Sequence, residues 1–424
     1  MSFLKSVFTS SSKARLALPI IAAWTAHYLI VFFAPFDSAQ PTDFRVHILN
    51  LAFVTISMTT YFLTYRSIPA PRSGKNFGIS RRWIWVLLGV ISLAVLSLIY
   101  DRIFIQDIDF SNGFAQARTD WVKKGEARVG VSSIFSVFGN LFFPLAVPVI
   151  IFALLNRHSF SRVMLTSTLI ICVLAIISVS ALSGSRGYMF MTCFFVVSSA
   201  VALLASGVWK SISRRVVLTT SILLATCLFY AMVVILDRAE HSSMSASNYA
   251  KTVVEYVGGR AEFETKMGTS AENKIEQFGY AFTGALAYVS HADWTTNRAM
   301  RLEHTPGFYT ANNSLLLLKR AGVIDEVVSI PVSGFMISLP GALWYDFGFV
   351  GALLIAAFLG SLLSFFVSHW LAKPSSLAWH FSVINLLALL TMAPFAYLFD
   401  FATYPFCVFN CLIVVAVNNL SSGT

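Results

Sequence analysis

Apolar residues run through this chain in long blocks rather than in stripes. Ten blocks stand out, spanning 17–36, 44–65, 83–100, 131–155, 163–182, 188–208, 216–236, 347–371, 377–398 and 401–417. Each is close to the ~20 residues a helix needs to cross a hydrocarbon core of about 30 Å. A helix apolar on every face is stable only deep in a core or in lipid. Between the seventh and eighth blocks the pattern changes. In 272–290, Ile275, Phe278, Phe282, Leu286 and Val289 recur at three- and four-residue steps, which predicts an amphipathic helix. Tyr249, Val253 and Val257 repeat the spacing briefly, while Leu315 to Leu318 are apolar but too few to cross a bilayer. The expected fold is all-α: a polytopic membrane helix bundle of about ten spans, with a helical cap built from the long intervening segment. The chain then divides into 1–236 (seven spans and a polar loop at 100–130), 237–346 (the cap) and 347–424 (three spans and the C-terminus).

Composition agrees. The chain is 57% hydrophobic and 12% charged, where a soluble domain is about a quarter charged. The net charge of +10 would suggest nucleic acid until the charges are placed. Threading the chain through ten spans puts Lys5, Lys13, Arg15, Arg66, Arg72, Lys75, Arg81, Arg82, Arg157, Arg162, Lys210, Arg214, Arg215 and Lys373 on one side, with no acid among them. All twenty Asp and Glu fall on the other side or at its edge. Short basic loops stay in the cytoplasm, so both termini are expected there, and 100–130 and 237–346 are expected outside. The basic excess is a topology signal, and no nucleic-acid partner is implied. The first apolar block reads as an uncleaved span, because Asp37 occupies a position that signal cleavage requires to be small. The five cysteines, at 172, 193, 227, 407 and 411, all lie within spans and read as packing residues.

The chemistry is expected on the acidic side. The chain has no Walker A, G-x-G-x-x-G, H-E-x-x-H or paired C-x-x-C motif. The basic-side loops carry no acid to hold Mg²⁺. The span cores contain no Lys, Arg, Asp or Glu, which weighs against a coupled transporter, although His27, His47 and His380 could in principle serve one. Arg186 is the most pointed residue. It lies in the turn Ser183-Gly184-Ser185-Arg186-Gly187 between two spans. A guanidinium at that depth needs an anion or the headgroup layer, and the glycines let backbone N–H groups approach a phosphate.

These residues resemble a known family. The Ser183–Gly187 turn, Ala117-Arg118 followed by Gly125-Glu126 and Gly130 in the first polar loop, and Tyr345-Asp346-Phe347-Gly348-Phe349-Val350-Gly351 entering a span are similar to features of the Wzy-type oligosaccharide repeat-unit (O-antigen) polymerases of bacteria. The resemblance covers the whole chain in architecture, although the motifs total under 20 residues. It implies a GT-C-like membrane glycosyltransferase of the inner membrane, acting in lipopolysaccharide biosynthesis at the periplasmic face. Such an enzyme moves a growing glycan from undecaprenyl pyrophosphate to a sugar hydroxyl of an incoming lipid-linked repeat unit, with no metal and no cofactor. Donor and acceptor would both be undecaprenyl-pyrophosphate-linked oligosaccharides in membrane lipid. A chain-length regulator and a flippase are the implied partners. An Arg102-to-Gly113 spacing also fits a pattern of some relatives, but 19 arginines and 23 glycines in 424 residues produce about one such pair by chance, so it carries no weight.

A pyrophosphate leaving group without Mg²⁺ needs converging guanidinium groups and N–H donors. Arg186 and Arg118 match the motifs; Arg298, Arg301, Arg320 and Lys319 are candidates by charge and side. The acceptor hydroxyl needs a base, for which His304 and Asp293 are chosen over His291 and Glu303. Asp346, at the N-terminal end of a span, is expected to complement the helix dipole. Two alternatives stay open. An O-antigen ligase acting on lipid A–core carries a His-Asn-x-x-Leu element, where this chain has Asn312-Asn313-Ser314-Leu315-Leu316 and no titratable group in the histidine place. A lipid-linked glycan transporter or flippase would need polar groups at mid-span.

Overall fold

The computed structural model describes residues 12–39, 42–66, 81–111, 113–126, 130–157, 160–183, 187–207, 214–263, 273–302, 309–320, 323–324, 326–327, 336–401 and 403–422. The first polar loop and the long intervening segment lie at one end of the bundle, called the cap end below. The chain rises to it through α1 (Ser12–Phe33) and leaves through α2 (Phe44–Thr64). A two-stranded antiparallel ribbon caps this crossing, β1 (Phe36–Ser38) pairing with β2 (Gly259–Ala261). Next comes α3 (Arg81–Tyr100), which runs into a π-helical turn at Asp101–Ile105, followed by α4 (Phe114–Glu126) in the polar loop. The fourth span is segmented into α5 (Ile134–Phe142), a 3₁₀ turn at Phe143–Leu145 and α6 (Ala146–Leu155). Pro144 and Pro148 lie within it and withhold backbone donors. Then follow α7 (Arg162–Ser183), α8 (Gly187–Ala205) and α9 (Arg214–His241).

The cap is helical, as expected. It comprises α10 (Ala246–Tyr256), α11 (Lys274–Ser290), α12 (Ala292–Ala299) and α13 (Asn312–Arg320). Asn273 and Glu276 form a reciprocal capping box that starts α11. The first part of its apolar stripe, however, faces away from the protein: Ile275 is 85% exposed, and Phe278 and Phe282 are also exposed, while Leu286 packs against the Phe36–Trp294 cluster. The buried face is made of small residues, with Ala281 and Ala285 packed against Ala231 and Ile235 of α9. A helix that buries alanines and presents phenylalanines outward is suited to the bilayer interface.

The chain returns through α14 (Leu339–Ala372), α15 (Leu377–Met392) and α16 (Tyr404–Ser422). Helix α14 is broken at Gly348, whose φ of 69° and ψ of −178° suit only glycine. Beyond the break, 349–372 is about 36 Å of helix, enough to span. Helix α14 buries Ala352, Ala356, Gly360, Ser364 and Ser368, every fourth residue. This small-residue edge lies on α2, which buries Phe53, Ser57 and Tyr61 in return.

The protein is an all-α, multi-pass membrane protein. Among the described residues, eight helices are long and apolar enough to cross a membrane: Ser12–Phe33, Phe44–Thr64, Arg82–Ile105, Ile134–Leu155, Arg162–Ser183, Gly187–Ala205, Leu339–Ala372 and Tyr404–Ser421. The two other expected spans differ. Block 216–236 sits inside α9, a 28-residue helix that continues past it into the cap. Block 377–398 is not one helix. It holds the 16-residue α15, about 24 Å long, and then a buried turn at 393–397. Pro394 ends the helix. The turn's backbone is bonded to the segment that enters α14, with Tyr397 N–H donating to Ile337 O at 2.7 Å and Leu339 N–H to Ala393 O at 2.9 Å.

Candidate functional site

Three polar clusters gather at the cap end. The first is cationic. Where α3 enters its π-helical turn, Asp101 and Arg102 are both buried. π-helical turns often mark functional positions, because the inserted residue redirects side chains. Asp101 accepts from the Ser132 and Ser133 hydroxyls at 3.1 and 2.5 Å, and from the Gln106 amide. The Arg102 guanidinium lies 3.8 Å over the Trp121 ring of α4. From the same helix, Arg118 Nη1 donates to the Ser183 carbonyl at 3.2 Å, the first residue of the Ser183–Gly187 turn. Tyr188, directly after that turn, lies within electrostatic reach of both Arg102 and Arg118. Arg118 thus reaches the first residue of the turn that carries Arg186, and Arg102 lies within electrostatic reach of the residue just after it. Gly184, Ser185 and Arg186 themselves lie outside the described residues, as do Arg128, Glu303 and His304. The other side of α4 bears Gln116 and Asp120, which with Asp109, Ser111, Gly113 and His241 line an open cleft of about 740 Å³. Its two aspartates give that cleft the wrong sign for a pyrophosphate.

The second cluster is built on α12. Asp293 is buried with both oxygens engaged in different ways. Oδ1 accepts from Asn50 Nδ2 of α2 at 2.8 Å, and Oδ2 lies 3.1 Å from His27 Nε2 of α1. Asn297, one turn on, accepts from Asp43 N–H at 3.0 Å, and Thr296 Oγ1 meets Ser338 Oγ at 3.0 Å. Gly341 allows this close approach, since a Cβ there would overlap Thr296 Oγ1. His291 takes no part in the pair; its Nε2 accepts from Met336 N–H at 3.1 Å.

The third cluster holds the loop before α13. Asp346 accepts from Tyr309 N–H and Thr310 N–H, both at 2.7 Å, and from the Thr310 hydroxyl at 2.5 Å. It therefore clamps a loop, a larger task than the dipole role expected of it. Tyr397 Oη donates to Thr310 O at 3.0 Å, and Tyr309 Oη faces Asp400 Oδ2 at 3.5 Å. Asp400 follows the buried turn outside the spanning helices, and burial pushes its carboxyl well above the usual carboxylate range.

That contrast gives a stability prediction. Asp346→Asn turns an amide N–H₂ toward backbone donors and should cost about 1–3 kcal/mol, the penalty of unsatisfied buried groups. Asp400→Asn imitates the neutral carboxyl and should cost little at neutral pH. A carboxyl with a raised folded-state pKa stabilises fully below its unfolded value, near 4, and loses that contribution as pH rises through the folded value. The thermal midpoint of the wild type should thus fall as pH rises above about 4, and Asp400→Asn should flatten that slope. Midpoints of equal slope would show that Asp400 is not the titrating group.

The remaining expected residues are dispersed. Arg298 and Arg301 are exposed on the cap, Arg301 within electrostatic reach of Asp43. Arg320 ends α13 and Lys319 beside it is exposed; the side chain of Arg320 lies outside what is described. Arg102, Asp400 and Asn50 join the clusters without having been selected from the sequence, and His27, noted there only as a histidine within a span, joins them too. Among the described residues, no three His, Cys, Asp or Glu side chains converge to hold a metal. Comparison with protein-family models, curated proteins and solved structures returns no match.

Proposed function

We propose that the protein is a membrane glycosyltransferase that extends a glycan from a polyprenyl pyrophosphate carrier onto a lipid-linked acceptor, as the resemblance to Wzy-type polymerases implies. One observation carries this reading: Arg118 is bonded to the head of the Ser183–Gly187 turn, with buried Arg102 beside the same turn at Tyr188. Guanidinium groups near one turn, one of them buried, suit a pyrophosphate, because each offers two parallel N–H donors to phosphate oxygens. They strengthen as charge develops on the departing oxygen, which is the condition for catalysis rather than mere binding. Donor and acceptor are membrane-embedded lipids, consistent with a site at the rim of a multi-pass bundle.

Purified protein supplied with a fluorescent lipid-linked oligosaccharide in chelator should yield a ladder of longer products. Arg118→Ala should slow the ladder about 10²-fold or more, the usual effect of removing one charge-stabilising donor. A wild-type ladder from Arg118→Ala would take this arginine out of the reaction. Transfer of a finished glycan to lipid A–core without a ladder would identify a ligase instead.

A second reading rests on the buried His27–Asp293 pair. Such a pair within a bundle is what a proton-coupled transporter of lipid-linked glycans would use. Chain extension in detergent, where no gradient exists, separates the two.

A further inference from the structure

The first half of α11 is turned inside out for a helix in water. Ile275, Phe278 and Phe282 are exposed, and α9 extends the same surface with Phe229 and Val233, also exposed. The face toward the protein is made of small residues: Ala281 and Ala285 pack with Ala231 and Ile235 of α9, and Gly284 lies against Ile235 and Ala250 of α10. A helix in water buries its large apolar stripe. Helices in lipid pair through small residues and leave the large apolar ones to the acyl chains.

The register along α9 sets the level at which this happens. Phe278 stacks on Phe229, with ring centroids 6.3 Å apart. Further along both helices, Gly284 meets Ile235. Numbers rise together, so α9 and α11 run parallel, and α9 runs toward the cap. The N-terminal half of α11 therefore points back toward the bundle. Tyr230, next to Phe229, donates through its hydroxyl to the Ser180 carbonyl of α7 at 3.1 Å. Helix α7 is long and apolar enough to span, and it ends at Ser183. Phe278 thus sits near the level where that span ends, and Ile275 is about 4.5 Å further from the cap. Lys274, also exposed, and the Asn273–Glu276 capping box put polar groups at the tip. A lysine stem lets its ammonium reach the headgroup layer from such a position.

We infer that the N-terminal half of α11 is inserted into the cap-end leaflet of the bilayer, where Ile275, Phe278 and Phe282 contact phospholipid acyl chains and tether the cap to the membrane. Interfacial helices sink their apolar face about 5–10 Å into the headgroup and acyl boundary, which matches a phenylalanine at the end of a span and an isoleucine one turn below it. The surface is continuous with Phe229 and Val233 beside that span end, where hydrocarbon is already present, so no further protein is needed to cover it. The tether also reaches the buried cluster. Helix α11 passes directly into α12, with His291 closing one and opening the other, and α12 carries Asp293, which meets His27 and Asn50. The insertion is independent of the reaction proposed above.

The test replaces Ile275, Phe278, Phe282 and Glu240 singly by photoreactive benzoylphenylalanine in the full-length protein, held in phosphatidylcholine nanodiscs and, separately, in cell membranes. Glu240 is exposed on α9, about 16 Å nearer the cap than Phe229. Peptide mass spectrometry should show phospholipid adducts at 275, 278 and 282 in both settings, and their loss at 240. Phe278→Asp, a change on the exposed surface, should deplete the lipid adducts at 275. It should also speed hydrogen exchange across 274–282 by about tenfold or more, the equilibrium change that matches one apolar side chain withdrawn from hydrocarbon. Phe278→Leu should leave both readings at the wild-type value. Adducts to another protein chain at all three positions would overturn the insertion and make this face a protein interface. Lipid adducts no more frequent at 275 and 278 than at 240 would overturn it too, as would exchange at 274–282 that Phe278→Asp leaves unchanged.

Discussion

Arg102→Ala is expected to lower kcat/KM for chain extension by about 10²–10³-fold while leaving the fold intact. The effect should be large because Arg102 is only 7% exposed, and a charge facing a phosphate in such a setting is little screened by water. The fold should survive because the π-helical turn does not hang on this side chain. Asp101 beside it is held by Ser132, Ser133 and Gln106, and Gln106 N–H closes the turn on Asp101 O at 2.8 Å. Two further variants separate charge from shape. Arg102→Lys keeps the charge but loses the planar face over Trp121 and the two-pronged donor geometry, and should fall about tenfold below wild type. Arg102→Met keeps length and apolar bulk without charge and should be as poor as alanine. The product ladder from a fluorescent lipid-linked unit, read beside the thermal midpoint, gives all three values. A methionine variant that extends chains at the wild-type rate would show that Arg102 is packing, not anion recognition.

What could be seen in the sequence followed from how each signal is made. The spans were legible because the bilayer sets their length and admits few polar residues, so 44–65 and 163–182 match α2 and α7 nearly end to end. Apolarity does not distinguish lipid from protein interior, however. The buried turn at 393–397 is as apolar as the helix before it, and the two merged into one expected span. The cap was legible as helical by its period, but the period of α11 did not tell which face the protein buries. At the site, Arg118 was found through its motif and Asp293 through its chemistry and side. Arg298 and Arg301 share that side, yet Arg298 is five residues from Asp293, about 140° round a helix, so burying the aspartate turns the arginine outward. Arg102 was weighed only as half of a chance spacing. Its informative feature was the adjacent Asp101 at the end of a span, where two charges mark a polar site rather than a lipid boundary. His27 could not be paired in advance, because the contacts that explain it cross the chain; Asn50 and Asp293 are 243 positions apart.

The second large effect is structural. Gly360→Leu should prevent α2 and α14 from docking. Helices in lipid gain little from burying apolar surface against each other, since lipid is equally apolar, and pair instead through close backbone approach at small residues. Gly360 is a point of close backbone approach on that edge: a Cβ there would overlap the Ser57 carbonyl oxygen and Thr60 Oγ1 of α2. The Ser57 carbonyl is backbone and cannot rotate away, so the helices must separate. The cost should reach the upper end of overpacking penalties, about 3 kcal/mol or more. Even Gly360→Ala should be measurably destabilised, whereas Leu354→Ala, on the lipid-facing side of the same helix at 66% exposed, should change little. The damage should also travel. Helix α2 carries Asn50 and follows Asp43, which hold Asp293 and Asn297 of α12. Moving α2 off α14 therefore pulls one wall from the buried pair at His27. Hydrogen exchange in nanodiscs should show faster exchange at 292–299 in Gly360→Leu than in Leu354→Ala, together with a lower thermal midpoint. A lower midpoint with unchanged exchange at 292–299 would mean that the cap is held by the 336–341 segment alone, and that α2 is not its anchor.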